Sequence, residues 1–102
     1  MLIHATVTIT GDDARLAECA ARLRELLSPQ SQRDEVAEQH RPGALCYDLK
    51  VEGGIPFPAF AQASQAFPEL AFDFEWINVE AGGQGSVRLV GGRAQSPDSG
   101  RA

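Results

Sequence analysis

Long apolar runs are missing from this chain. None approaches the roughly eighteen residues that a membrane-spanning helix needs, so a membrane span is not expected. The start, "MLIHATVTITGDD", lacks a basic region and a cleavage site. No signal peptide is expected from it, and the expected compartment is the cytoplasm. Cysteine is scarce. Cys19 and Cys46 are too few for a disulfide framework, and their spacing fits no zinc pattern. Both fall in periodic segments and are expected to be buried or half-buried free thiols. Positive charge is also short. Lys50 is the only lysine, and the formal net charge is −5. Nonspecific binding to a phosphate backbone needs clustered cations, so no direct nucleic-acid contact is expected.

What remains is the balance of an ordinary globular domain, with 43% hydrophobic and 23% charged residues in 102. That length suits one domain, large enough to bury a core without metals or disulfides. Residues 2–10, "LIHATVTIT", alternate between Ile3, Ala5, Val7 and Ile9 on one side and His4, Thr6, Thr8 and Thr10 on the other, as in a half-buried strand. Asp12 and Asp13 then offer a helix N-cap. Leu16, Cys19, Ala20, Leu23, Leu26 and Leu27 recur at three- and four-residue steps, marking one apolar helix face. Glu18 and Arg22 are spaced for an i,i+4 pair on the opposite side, and Ser28-Pro29 ends the helix.

Residues 30–43 are polar and read as a short exposed helix or an ordered loop ending at Pro42-Gly43. Residues 44–52 alternate again: Leu45, Tyr47, Leu49 and Val51 face inward, and Cys46, Asp48, Lys50 and Glu52 face outward. "IPFPAFAQASQAFP" carries prolines at its front, where a helix tolerates them. Phe60, Ala63 and Phe67 share one face of it. In "FPELAFDFEWINVEAGGQGSVRLVGG", Phe72, Phe74 and Trp76 alternate with Asp73, Glu75 and Ile77. Gly82-Gly83-Gln84-Gly85 reverse the chain, and "SVRLV" returns as a fourth strand. The expected fold is α+β, a two-layer α/β sandwich with two helices on one face of a four-stranded sheet. It spans residues 1–92 as a single domain, with 93–102 a flexible C-terminal tail.

Few residues point to chemistry. His4 and Cys46 fall on the uncovered face and could form a base–nucleophile pair, but no third orienting group accompanies them. A metal site from His4, His40, Cys19 and Cys46 has no two ligands at short spacing, so no metal is expected. The carboxylates Asp48, Glu52, Asp73, Glu75 and Glu80 could do acid–base work or hold Mg²⁺, yet they fit better as solvated strand faces. The Gly-x-Gly of "GGQGS" joins two strands and opens no helix, so it is not a dinucleotide site, and no cofactor is expected. Trp76 shares a face with Phe72 and Phe74, which favours a core role over base stacking.

Tyr47-Asp48-Leu49, the loop with Pro56 and Pro58, the "FPELAFDFEW" step into an aromatic–acidic strand and the Gly-rich hairpin closing on "GG" resemble the YubB ferredoxin-like (Api92-like) domain family. The resemblance covers roughly residues 45–92, and the family's Trp-rich segment has no counterpart here. It implies a ferredoxin-like fold and an origin on a mobile element, and it transfers no catalytic residue. The expected function is a small acidic non-enzymatic protein-interaction module, an inhibitor or accessory protein. The alternative is a small-ligand-binding or enzymatic domain working through the open sheet face. That face is expected to present His4, Thr6, Thr8, Cys46, Asp48, Lys50, Asp73, Glu75, Ser86 and Arg88. Ile77 and Val90 form its rim, and a protein partner or a second copy covers it.

Overall fold

The computed structural model describes residues 2–27, 35–52 and 55–95. Alternating β-branched residues make β1 (Ile3–Thr10) the central strand. Helix α1 (Asp13–Leu26) follows; its N-cap Asp12 accepts a hydrogen bond from the Ala14 N–H at 3.2 Å. Leu16, Cys19, Ala20 and Leu23 of α1 are buried. The expected Glu18–Arg22 pair does not form. Each arginine instead meets a glutamate three residues on, Arg15 with Glu18 at 2.7 Å and Arg22 with Glu25 at 3.2 Å.

Residues 35–41, expected as helix or loop, are a strand. β2 (Glu35–Arg41) runs antiparallel to β3 (Ala44–Val51) through a two-residue turn, Pro42-Gly43. Pro42 pre-sets its own φ, and Gly43 takes a φ of 74°. The turn is tied down at both ends. The Gly43 N–H donates to Asp13 Oδ1 at 2.7 Å, and the Gly43 carbonyl accepts from the Gly11 N–H at 3.2 Å. Helix α2 (Phe57–Ala66) then leads to β4 (Ala71–Asn78) and β5 (Gln84–Val90). The expected tail begins in the sheet: β6 (Arg93–Gln95) pairs antiparallel with β5 across Gly91-Gly92, both at positive φ. The Gly92 N–H donates to the buried Ser64 hydroxyl at 2.9 Å, so this turn is anchored to α2. Residues 96–102 lie outside the described residues.

The sheet therefore has six antiparallel strands in the order β2-β3-β1-β4-β5-β6. This corrects the expected four-stranded ferredoxin-like sheet; the overall class is still α+β. Two split strand–helix–strand units interlock, because β3 lies between β1 and β2 while β1 lies between β3 and β4. Both helices pack on the face that carries Val7, Ile9, Leu45, Tyr47, Leu49, Phe72, Phe74 and Leu89. Neither β2 nor β6 contributes to this buried cluster.

At the end of β4 the indole of Trp76 lies across Gly85 of β5. A Cβ built on Gly85 would overlap Trp76 Cζ2. Gly85→Ala must displace the ring, at an expected cost of about 1–3 kcal/mol. Emission of this sole tryptophan should shift to the red as the ring gains water. An unchanged spectrum and melting temperature would show that the strand end yields instead.

Candidate interaction face

Strand side chains alternate between faces, so the register fixes what lies on the helix-free side. One row across the sheet reads Gln39, Cys46, Thr8, Asp73, Arg88; the next reads Ala37, Asp48, Thr6, Glu75, Ser86. A third reads Glu35, Lys50, His4, Ile77, Gln84, and at the opposite end stand Arg41, Ala44, Thr10, Ala71, Val90. All ten residues read from the sequence as one face lie on this side.

The register also separates groups that the sequence allowed to meet. His4 stands opposite Lys50, and Cys46 stands opposite Thr8. The two are four residues apart along the pairing, roughly 13 Å, too far for a base to activate a thiol. The acidic residues divide similarly, because β1 runs between β3 and β4. Asp48 and Glu75 flank Thr6, whose hydroxyl donates to Asp48 Oδ1 at 3.3 Å. Asp73 is held by Arg88 through two hydrogen bonds, of 2.7 and 3.2 Å, and this contact raises the Arg88 pKa. Glu80 sits in the β4–β5 connection and accepts from the Leu2 N–H at 2.7 Å. Among the described residues no three His, Cys, Asp or Glu side chains converge as metal ligands would.

The relief is low. A shallow recess of about 220 Å³ is lined by His4, Thr6, Glu75, Trp76 and Ile77. A second, of about 330 Å³, lies at the end of the β2–β3 hairpin between Asp13, Leu16, His40, Arg41, Pro42 and Ala44. Cys46 is half-buried on the face, while Cys19 is fully buried beneath α1.

One polar cluster on the helix side could not be read from the sequence. Glu38 of β2 accepts from Arg24 Nη2 at 2.5 Å and from the Tyr47 hydroxyl at 3.1 Å, and it meets His40 Nε2 at 2.7 Å. Burial pushes the Glu38 carboxyl upward, but hydrogen bonds with His40, Arg24 and Tyr47 outweigh it, and the net shift is downward. The cluster joins α1, β2 and β3, and it satisfies the one polar atom of the buried Tyr47 side chain. Arg24 and Tyr47 are remote in sequence from Glu38 and His40, and Glu38 opposes Tyr47 only once residues 35–41 are paired as a strand.

No helix among the described residues is long and apolar enough to cross a membrane. No family model matches the chain, so the YubB resemblance rests on the quoted motifs alone. No solved structure matches it either. A tRNA pseudouridine synthase Pus10 from Cenarchaeum symbiosum (strain A) is 36% identical over 72 residues, which take in 60% of this chain and 17% of that protein. The chain thus corresponds to a small part of the relative's length, and what is similar is that part.

Proposed function

We propose that the protein is a non-enzymatic docking module that binds a partner protein through the helix-free sheet face. The observation that carries this reading is the composition of the central rows. Ala37, Thr6, Thr8, Cys46 and Ser86 are short and let another surface approach the sheet closely. Asp48 and Glu75 stand on either side of Thr6 and form no ion pair with a described residue. A partner presenting an arginine or lysine there would find complementary charge. The face is roughly 25 Å on a side by strand and residue spacing, or about 600 Å², at the lower end of specific interfaces. The reading includes a cytoplasmic setting, where both cysteines stay reduced.

The match to part of a tRNA pseudouridine synthase favours a second reading, in which the module serves an RNA-modifying assembly. The net charge of −5 favours an RNA contact made by the partner over one made by this face.

Thr6→Arg and Thr8→Arg test the proposal, because both are surface changes that leave the core intact. Affinity capture from the native host should yield a protein that the wild type retains and both variants lose at least tenfold. Equal retention by all three, with unchanged melting, would sink it. A gel shift with tRNA at moderate salt checks the charge argument common to both readings: the isolated chain should give none, and a shift would overturn it.

A further inference from the structure

We propose that β2 pairs edge to edge with β2 of a second copy, related by a two-fold axis at Glu38, so that two six-stranded sheets become one. The first support is the state of the edge. β2 is a seven-residue terminal strand. Its register with β3 runs unbroken from Glu35↔Lys50 to Arg41↔Ala44. Native edges are commonly blunted by lysine, proline, a bulge or an inward-pointing charge; β2 has no lysine, proline or bulge, and its inward charge, Glu38, is already paired within the chain. The opposite edge, β6, is only three residues long.

The second support is hydrogen-bond parity. The Gly11 N–H to Gly43 carbonyl bond fixes the odd-numbered residues of β3 as those bonded to β1. Its even-numbered residues therefore bond to β2, through Glu35, Ala37, Gln39 and Arg41. The N–H and C=O groups of Val36, Glu38 and His40 point outward along an edge that no described strand pairs. An antiparallel copy centred on Glu38 sets Val36 against the partner copy's position 40 and Glu38 against its own equivalent. All three outward residues are then matched in parity, with about six new backbone hydrogen bonds.

The third support is charge. In that register each Glu35 lies opposite the other copy's position 41, an arginine, in the closer, non-hydrogen-bonded type of pair. Neither Glu35 nor Arg41 forms an ion pair among the described residues, and Arg41 donates only to Gln39 Oε1 at 3.3 Å. Val36, 49% exposed, would be covered by the facing imidazole. The two Glu38 carboxylates are the unfavourable element. Each is already held by its own Arg24, His40 and Tyr47, with a side chain only 21% exposed, which limits the repulsion. Sliding by two residues toward the turn sets Pro42, which has no N–H, opposite Val36, so that register loses a bond.

The two-fold axis stands perpendicular to the sheet, so both helix-free faces lie on the same side. The inference does not rest on the docking function proposed above. The experiment is light scattering of the full chain over a wide concentration series. The wild type should show twice its 10.9 kDa. Val36→Pro removes only an outward N–H, which an edge strand tolerates, and should give a monomer with an unchanged circular dichroism spectrum. Glu35→Arg should weaken the dimer roughly ten- to thirtyfold, and Glu35→Arg with Arg41→Glu should restore it. Thr6→Arg should leave it intact. A wild type that stays at one chain's mass, or a double variant no better than Glu35→Arg alone, overturns the proposal. So does a dimer that survives Val36→Pro.

Discussion

Phe74→Ala is expected to destabilise the protein by about 3–5 kcal/mol. Phe74 is 1% exposed at the middle of β4. Two rings of α2 close over it: Phe60 edge-on with centroids 5.2 Å apart, and Phe57, tilted, also at 5.2 Å. Phe57 in turn meets Trp76 edge-on at 5.8 Å, and Phe60 meets Tyr47 at 6.1 Å. Removing the central ring leaves a cavity whose walls are strand backbone and other aromatics, and these cannot collapse far. The N-cap of α2 is Pro56, which supplies no side-chain hydrogen bond, so this packing is the main support of its first turn. A small domain has only about 5–15 kcal/mol in total. Urea denaturation of the variant should show a large fall in midpoint, and its melting temperature should drop by roughly 15 °C or more. A variant that melts within a few degrees of the wild type would mean that α2 does not press on the sheet as described.

The elements that bury a face were legible in the sequence. β1, β3 and β4 each alternate cleanly because one side is covered by helices, and that alternation also marked which of their own residues lie on the open face. β2 was not legible, for the reason that it is exposed. Val36 and His40 point to the helix side but lie beyond the helices, so Glu35–Arg41 carries no apolar period to detect. The surviving signal was the Pro42-Gly43 pair, read as the end of a segment and in fact the turn of a hairpin. Gly91-Gly92 was missed in the same way. It looked like the end of the domain, whereas two successive positive φ values form a tight turn into β6. Both omissions concern edge strands, whose pairing is paid for by backbone hydrogen bonds and not by burial. The Glu38 cluster follows from β2 and was hidden with it. The separation of His4 from Cys46 depended on register, which alternation does not supply.

Stability should fall steeply in alkali, and two buried acids on the helix side of the sheet set the range. Cys19 is fully buried in α1. Burial raises its thiol pKa from 9.0 to about 11, against a smaller opposing pull from the Arg15 guanidinium. Tyr47, 2% exposed, is raised as well, first by burial and then by the negative charge of Glu38 and the hydrogen bond to it. Both groups hold their protons more tightly folded than unfolded, so the unfolded chain loses protons first as pH rises. The Cys19 contribution is whole below the ordinary thiol value of 9.0 and is lost as pH climbs through about 11. For Cys19 the rise from 9.0 to about 11 corresponds to roughly 3 kcal/mol; Tyr47 extends the loss to higher pH. Ionising Tyr47 would also set two negative charges 3.1 Å apart against Glu38, loosening the tie between β3 and β2. Denaturation curves at steps from pH 7 to 11 should show a plateau and then a decline. In Cys19→Ala the decline should begin later, near the ordinary tyrosine range, because only Tyr47 remains to titrate. A flat profile to pH 11 would refute the burial of both groups, and a Cys19→Ala profile parallel to the wild type would refute the assignment to Cys19.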